Sequence, residues 1–208
     1  VLGRQNRRAP LPWFIAWIVL IALALGVDRR VAEFIALHPP IHKGGALATI
    51  LKWPGNFWCT LLIAVLLIPW GPIARRTAAQ LIIAGVLGGA IYSIVKWIAG
   101  RPRPVPHITP FAFHPFINGI PGLWNANDLG FPSGHACLSF ATAMCLAMAF
   151  PRLRWLFFLL AAIVGCERIG ENAHYVSDVI AGAGFGILSA LLADRLLPPQ
   201  ITTRQPPA

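Results

Sequence analysis

The chain has 208 residues, 57% of them hydrophobic and only 12% charged, with a formal net charge of +10. Soluble domains carry roughly a quarter charged residues, so this composition argues against a water-soluble domain and for a membrane solvent. The lysines and arginines stand in short groups between apolar runs, with no basic stripe interleaved with aromatics, which argues against nucleic acid as a partner.

The first apolar segment, residues 11–27, follows Arg4, Arg7 and Arg8. It resembles a signal peptide, and Ala22-Leu23-Ala24 mimics a cleavage site. We read it as a retained anchor, because its removal would leave an odd number of spans. Residues 31–38 read as a short interfacial helix that Pro39-Pro40 ends. Five more apolar segments follow, at 56–70, 77–98, 133–150, 153–168 and 176–197. About 20 residues cross a bilayer, and backbone groups in lipid must be satisfied within their own segment, so these are helices. The expected fold is all-α: one domain over residues 1–208, an integral membrane bundle of six transmembrane helices with a short interfacial helix. Trp13, Trp17, Trp58, Trp70, Trp97 and Trp155 fall near segment ends, as interfacial tryptophans do.

Residues 101–131 form a proline-rich loop long enough to be a lid. It carries His107, His114, Phe111, Phe113, Phe116 and Trp124, with Asn125 and Asp128 as turn formers. The tail from Pro198 reads as a disordered end. Cys59, Cys137, Cys145 and Cys166 show no C-x-x-C spacing and read as small buried hydrophobes, not as metal ligands or a disulfide framework. The glycines at 182, 184 and 186 permit close helix packing, within or between chains.

Of the 17 lysines and arginines, nine fall on the side of the termini and eight on the other. Setting aside Lys96, Arg103 and Arg168, which belong to motifs, leaves nine against five. The positive-inside rule then places both termini in the cytoplasm.

Three clusters carry chemistry, and this topology sets all three on the outer face. Lys96 to Pro104 closes the third span, Pro132-Ser133-Gly134-His135 opens the fourth, and Arg168, His174 and Asp178 lie between the fifth and sixth. Lys96, Arg103 and Arg168 are cations suited to phosphate oxygens. Ser133 is placed to cap a helix whose free N–H groups, with Gly134 allowing close approach, make an anion site. His174 and Asp178 are four residues apart and share a helical face, so the carboxylate can orient the imidazole as a nucleophile. His135 is left to protonate a leaving oxygen.

The pattern K-x6-R-P, P-S-G-H and R-x5-H-x3-D resembles the type 2 phosphatidic acid phosphatase superfamily, which also contains vanadium haloperoxidases. The resemblance implies a membrane lipid phosphatase that needs no metal or other cofactor and works through a phosphohistidine. It gives His174, Asp178 and His135 as catalytic residues and Lys96, Arg103, Ser133, Gly134 and Arg168 as phosphate ligands. Relatives of this kind act on undecaprenyl diphosphate, phosphatidylglycerophosphate, phosphatidic acid or lipid A, with the site facing the periplasm of a bacterial inner membrane. Two other readings are a phosphotransferase that passes the group to a second lipid, and a non-catalytic phospholipid-binding protein.

One position departs from the family pattern, which usually has a small residue before the third-motif arginine. Here Glu167 stands there, expected to pair with a basic pocket residue or to contact a headgroup, or else to face a neighbouring helix. Glu171 and Asn172, in the same turn as His174, are further candidates for reading the rest of the substrate. Arg101 repeats the Arg-Pro pair two residues early and misses the motif spacing, which leaves it as a secondary contact.

Overall fold

The computed structural model describes residues 11–104, 110–117, 119–120 and 128–198. Arg4, Arg7, Arg8, His107, Trp124, Asn125 and the tail beyond Pro198 lie outside the described residues. Seven helices make up the rest: α1 Leu11–Leu37, α2 Ala46–Lys52, α3 Phe57–Leu67, α4 Pro72–Ala99, α5 Gly134–Ala149, α6 Arg154–Gly170 and α7 Val176–Leu196. Short 3-10 turns join them at Trp53–Gly55, Ile68–Trp70 and Pro151–Leu153. The fold is all-helical as expected, and the one β-type contact among the described residues is a single bridge between Pro102 and Leu129.

Length and composition mark three or four of the described helices as spans. Three helices, α1, α4 and α7, are long and apolar enough to cross a membrane. A fourth span forms if Ala46–Gly55 and Phe57–Trp70, which meet at a bend of 59°, count as one. Helix α5 has 16 residues and α6 has 17, or about 25 Å at 1.5 Å per residue, short of a hydrocarbon core of about 30 Å. Helix α5 sits between α4, α6 and α7 and buries Ala136, Cys137, Leu138, Ala141, Ala143 and Cys145.

A correction concerns residues 31–38, which are not a separate interfacial helix. They continue α1 without a break, giving one helix of 27 residues. Nothing between Val27 and Leu37 stops a helix, and Arg29 pairs with Glu33 one turn on, at 2.8 Å. Termination waits for Pro39-Pro40. Helix α1 turns Trp17, Ile21, Ala24, Asp28, Val31 and Ile35 inward and leaves its other faces exposed, a stripe at spacings of three and four. That stripe lies on α7, where the Trp17 indole donates to the Ile180 carbonyl at 2.9 Å and meets Phe185 edge-on.

Small residues let the helices close up. The core joins Ala64, Ala78, Leu81, Ala84, Ala141, Cys145, Ala190 and Ala193 from α3, α4, α5 and α7. Gly182 and Gly186 face the α5 backbone, and a Cβ at either would overlap it. Gly184 takes the Trp17 ring, so all three α7 glycines pack within the chain. Polar core groups find partners across helices: Thr60 with Thr142 at 2.8 Å, and the Gln80 amide to the Ala190 carbonyl at 3.3 Å. Of the four cysteines, three are buried as expected; Cys166 is exposed on α6.

Candidate active site

Three helix ends and one loop build the site. Helix α4 delivers Lys96 in its last turn and stops at Gly100, whose φ of 58° is left-handed. A side chain there would collide with the His114 carbonyl, so glycine is required on two counts. The chain then runs beside residues 128–130: the Gly130 amide donates to the Arg101 carbonyl at 2.6 Å and the Arg103 amide to the Asp128 carbonyl at 3.2 Å. These bonds fix both ends of the loop, so Arg103 is held on backbone pairing. Lys96 Nζ donates to the Leu129 carbonyl at 2.6 Å, which ties the first motif to the same strip.

Ser133 caps α5, its hydroxyl accepting from the Ala136 amide at 3.4 Å. Its own amide donates to the Asp178 carbonyl at 2.9 Å, so the starts of α5 and α7 are joined directly. Gly134 faces the Tyr92 ring, and a Cβ there would come within 3.2 Å of it. His135 follows, half-buried, within electrostatic reach of Arg168, His174, Arg103 and Lys52.

Helix α6 ends on a reversal. Asn172 is left-handed at φ 53°, a conformation asparagine tolerates, and the Arg168 carbonyl accepts from both Ala173 and His174 amides. That turn throws His174 back against α7. The imidazole is almost wholly buried, and its Nδ1 faces Asp178 Oδ2 at 3.5 Å. At that length the contact is electrostatic and not a hydrogen bond. Burial is the main cause that lowers the His174 pKa to about 4, against the opposing pull of Asp178 and with Lys96 and Arg103 lowering it further. The ring is therefore neutral at pH 7, with Nε2 turned away from Asp178. Burial and Arg168 likewise lower the pKa of Arg103, whose Nη1 reaches the Ala173 carbonyl at 3.5 Å.

The third cation, Arg168, is held by its own helix. Nε and Nη2 bond to the two oxygens of Glu167, and Nη2 also bonds to Glu171. The second oxygen of Glu171 accepts from the Gly44 amide at 3.1 Å, which fastens the α1–α2 connection to this corner. Glu167 thus pairs with the basic residue beside it in the chain. Asn172 supplies the left-handed turn at the same corner. Among the described residues, no three His, Cys, Asp or Glu side chains come together as a metal site.

Lys96, Arg103, Ser133, Gly134, His135, Arg168, His174 and Asp178 therefore gather at one end of the bundle. Behind them lies a cluster that sequence reasoning missed. Arg101 is completely buried: Nη1 bonds to Ser177 Oγ at 2.7 Å and to Asp178 Oδ1, Nη2 to Asp28 Oδ2 at 2.7 Å, and Nε to the Pro110 carbonyl at 2.8 Å. Its guanidinium stacks over Tyr175 at 4.2 Å. Asp28 also accepts from the amide and hydroxyl of Ser177. The signal was present: Asp28 continues the inward stripe of α1, and an ionisable residue in a membrane helix is a functional candidate by default.

A profile of the PAP2 superfamily matches residues 77–201. The chain belongs to the PAP2 superfamily. The match runs from α4 to α7 and contains all three motifs; α1 precedes it. The bacitracin transport permease protein BcrC of Bacillus licheniformis is 33% identical over 147 residues, which cover 70% of this chain and 69% of that protein. The lipid A 1-phosphatase of Rhizobium johnstonii is 36% identical over 117 residues, covering 55% of this chain and 45% of its own length. This chain therefore spans about half of that phosphatase. A PAP2-type phosphatidylglycerolphosphate phosphatase from Bacillus subtilis shares the fold at a TM-score of 0.58 and 20% identity, covering 90% of this chain and 94% of that one. PAP2 lipid phosphatases are hydrolases of phosphate esters, and the apolar helices make this chain an integral membrane protein.

Proposed function

We propose that the chain is a membrane lipid phosphatase acting on a lipid phosphate or diphosphate through a phosphohistidine, with no cofactor. One observation carries the reading: a neutral, buried His174 beside Asp178, facing a site with three cations and His135. His174 Nε2 attacks phosphorus as the bond to the lipid oxygen breaks, and His135 gives that oxygen its proton. The resulting imidazolium phosphate is stabilised by Asp178. Water then attacks phosphorus, His135 takes its proton, and the P–N bond breaks to release phosphate and free His174. Lys96, Arg103 and Arg168 meet the charge on the equatorial oxygens, as phosphoryl transfer requires. Ser133 and Gly134 present the start of α5 to the same group. An imidazolium at His135 beside these cations is costly until an anion sits among them, which couples proton donation to substrate binding.

The substrate class follows the relatives: undecaprenyl diphosphate, phosphatidylglycerophosphate, phosphatidic acid or lipid A. Glu167, Glu171 and Asn172 line the corner where the rest of the headgroup would lie. The charge distribution supports cytoplasmic termini and a site on the outer, periplasmic face. The test is phosphate release in detergent with chelator present, over a panel of those four lipids. We expect turnover of at least one, abolished by His174→Ala. Turnover that survives this substitution, or that needs added divalent metal, overturns the mechanism.

A further inference from the structure

We infer that Asp28 of α1, acting through Arg101, is a positioning residue for the Asp178–His174 pair, so that the first helix completes the active site. The inference rests on the reading of His174 as nucleophile. Asp178 has two oxygens, and each has an anchor: Oδ2 accepts from the Tyr175 amide at 3.0 Å, and Oδ1 accepts from Arg101. Only with Oδ1 held does Oδ2 stay aimed at the imidazole. Gly130 leaves the space this needs, since a Cβ there would lie 2.8 Å from Oδ2.

Arg101 in turn has to be kept in place. It stands two residues from Arg103 in a chain segment that leads into an anion site, and a guanidinium with idle donors would turn towards a bound phosphate. Asp28, Ser177 and the Pro110 carbonyl occupy three of its four remaining donors, and Tyr175 covers one face. The Asp28 carboxylate is itself shared between Arg101 and both donors of Ser177, which precedes Asp178 in the first turn of α7. One aspartate on α1 thus fixes the arginine and the backbone on either side of the catalytic carboxylate.

Stability alone is a poor account of this cluster. Buried ion pairs are commonly replaced by apolar residues at no loss, because desolvation offsets the attraction. Here three charged side chains with no exposed surface, Asp28, Arg101 and Asp178, form a chain that ends on His174.

The experiment compares wild type, His174→Ala, Ser177→Ala and the charge-balanced double variant Asp28→Asn/Arg101→Gln, each in detergent. Short-chain phosphatidic acid is the substrate and orthophosphate the competing ligand. The double variant is expected to lose about 10- to 100-fold in kcat, with KM and the phosphate Ki unchanged within about threefold. Histidine 15N spectra should show the Nδ1–H tautomer of His174 in wild type giving way to a mixture. Ser177→Ala keeps every charge and is expected to lose about threefold to tenfold in kcat by the same misalignment. A double variant with wild-type kcat, or one whose loss falls equally on the phosphate Ki, overturns the inference. Should the double variant fail to fold, an unchanged kcat in Ser177→Ala overturns it. If His174→Ala retains turnover, the failure belongs to the nucleophile assignment instead.

Discussion

Two arginines in this bundle are each held by two carboxylates, and they are held in opposite ways. Arg101 draws Asp28 from α1 and Asp178 from α7, residues 73 and 77 positions away. Arg168 draws Glu167 and Glu171 from its own helix end, one and three positions away. Undoing the first cluster means separating helices. Undoing the second needs only side-chain rotation, at a corner that faces the pocket. On the proposed function, the same chemical pairing serves as framework in one place and as an exchangeable ligand sphere in the other, where phosphate oxygens would take over from the glutamates.

The sharpest way to break this comparison is to remove each arginine in turn. Arg168→Met strands Glu167 and Glu171, which can turn or take up a proton at the helix end, so it should lower Tm by no more than about 5 °C and lose about 100- to 1000-fold in kcat/KM, as when one transition-state donor is lost. Arg101→Met leaves two carboxylates buried without their cation and should lower Tm in detergent by about 10 °C. Thermal melts and steady-state kinetics on the two proteins decide it; equal Tm losses would erase the distinction. A milder probe is Glu167→Gln, which weakens the competitor for Arg168. Orthophosphate should then inhibit about tenfold more tightly, and an unchanged Ki would mean that the glutamate never yields its place.

The electrostatics of His174 sharpen the framework side. Its lowered pKa means that the ring is neutral above about pH 4 and gains a proton only below it. Histidine 15N spectra recorded from pH 8 to pH 5 should show it neutral throughout, and an imidazolium at pH 6 would contradict the buried geometry. Because Asp178 pulls the pKa upward, Asp178→Asn should move the midpoint lower still. The smallest effect is reserved for the pair outside both clusters. Arg29 and Glu33 are exposed on α1, so Arg29→Ala should leave Tm and kcat unchanged even though Asp28 is adjacent.

The site and the helices differed in how legible they were. Lys96, Ser133, His135, Arg168 and His174 sit at helix ends, where residue type, capping and spacing speak locally, and the fold brings them together. Helices α5, α6 and α7 end close to where apolar runs end. Helix α4 begins five residues before its apolar run, because Pro72 suits a helix start, Arg75 is exposed and Arg76 pairs with Asp194 of α7 at 2.9 Å. Helix α1 was cut short at Val27 because apolarity falls at Asp28-Arg29-Arg30, although no helix breaker occurs there. Asp28 was lost with that cut. Its reason for being buried stands 149 residues further on, in Ser177, and no local pattern reports a partner at that distance.

That separation bears on how the protein is made. A chain synthesised from its N-terminus places α1 in the bilayer long before α4 has produced Arg101, and longer still before α7 brings Ser177 and Asp178. Throughout that interval Asp28 is a carboxyl group in lipid with none of its final partners, the kind of residue bilayers tolerate poorly. Helix α1 would then insert before the other described helices and settle after them. Its docking, with Trp17 dropping onto Gly184, becomes the closing step of biogenesis, and no nascent chain lacking α7 would hold a formed His174–Asp178 pair.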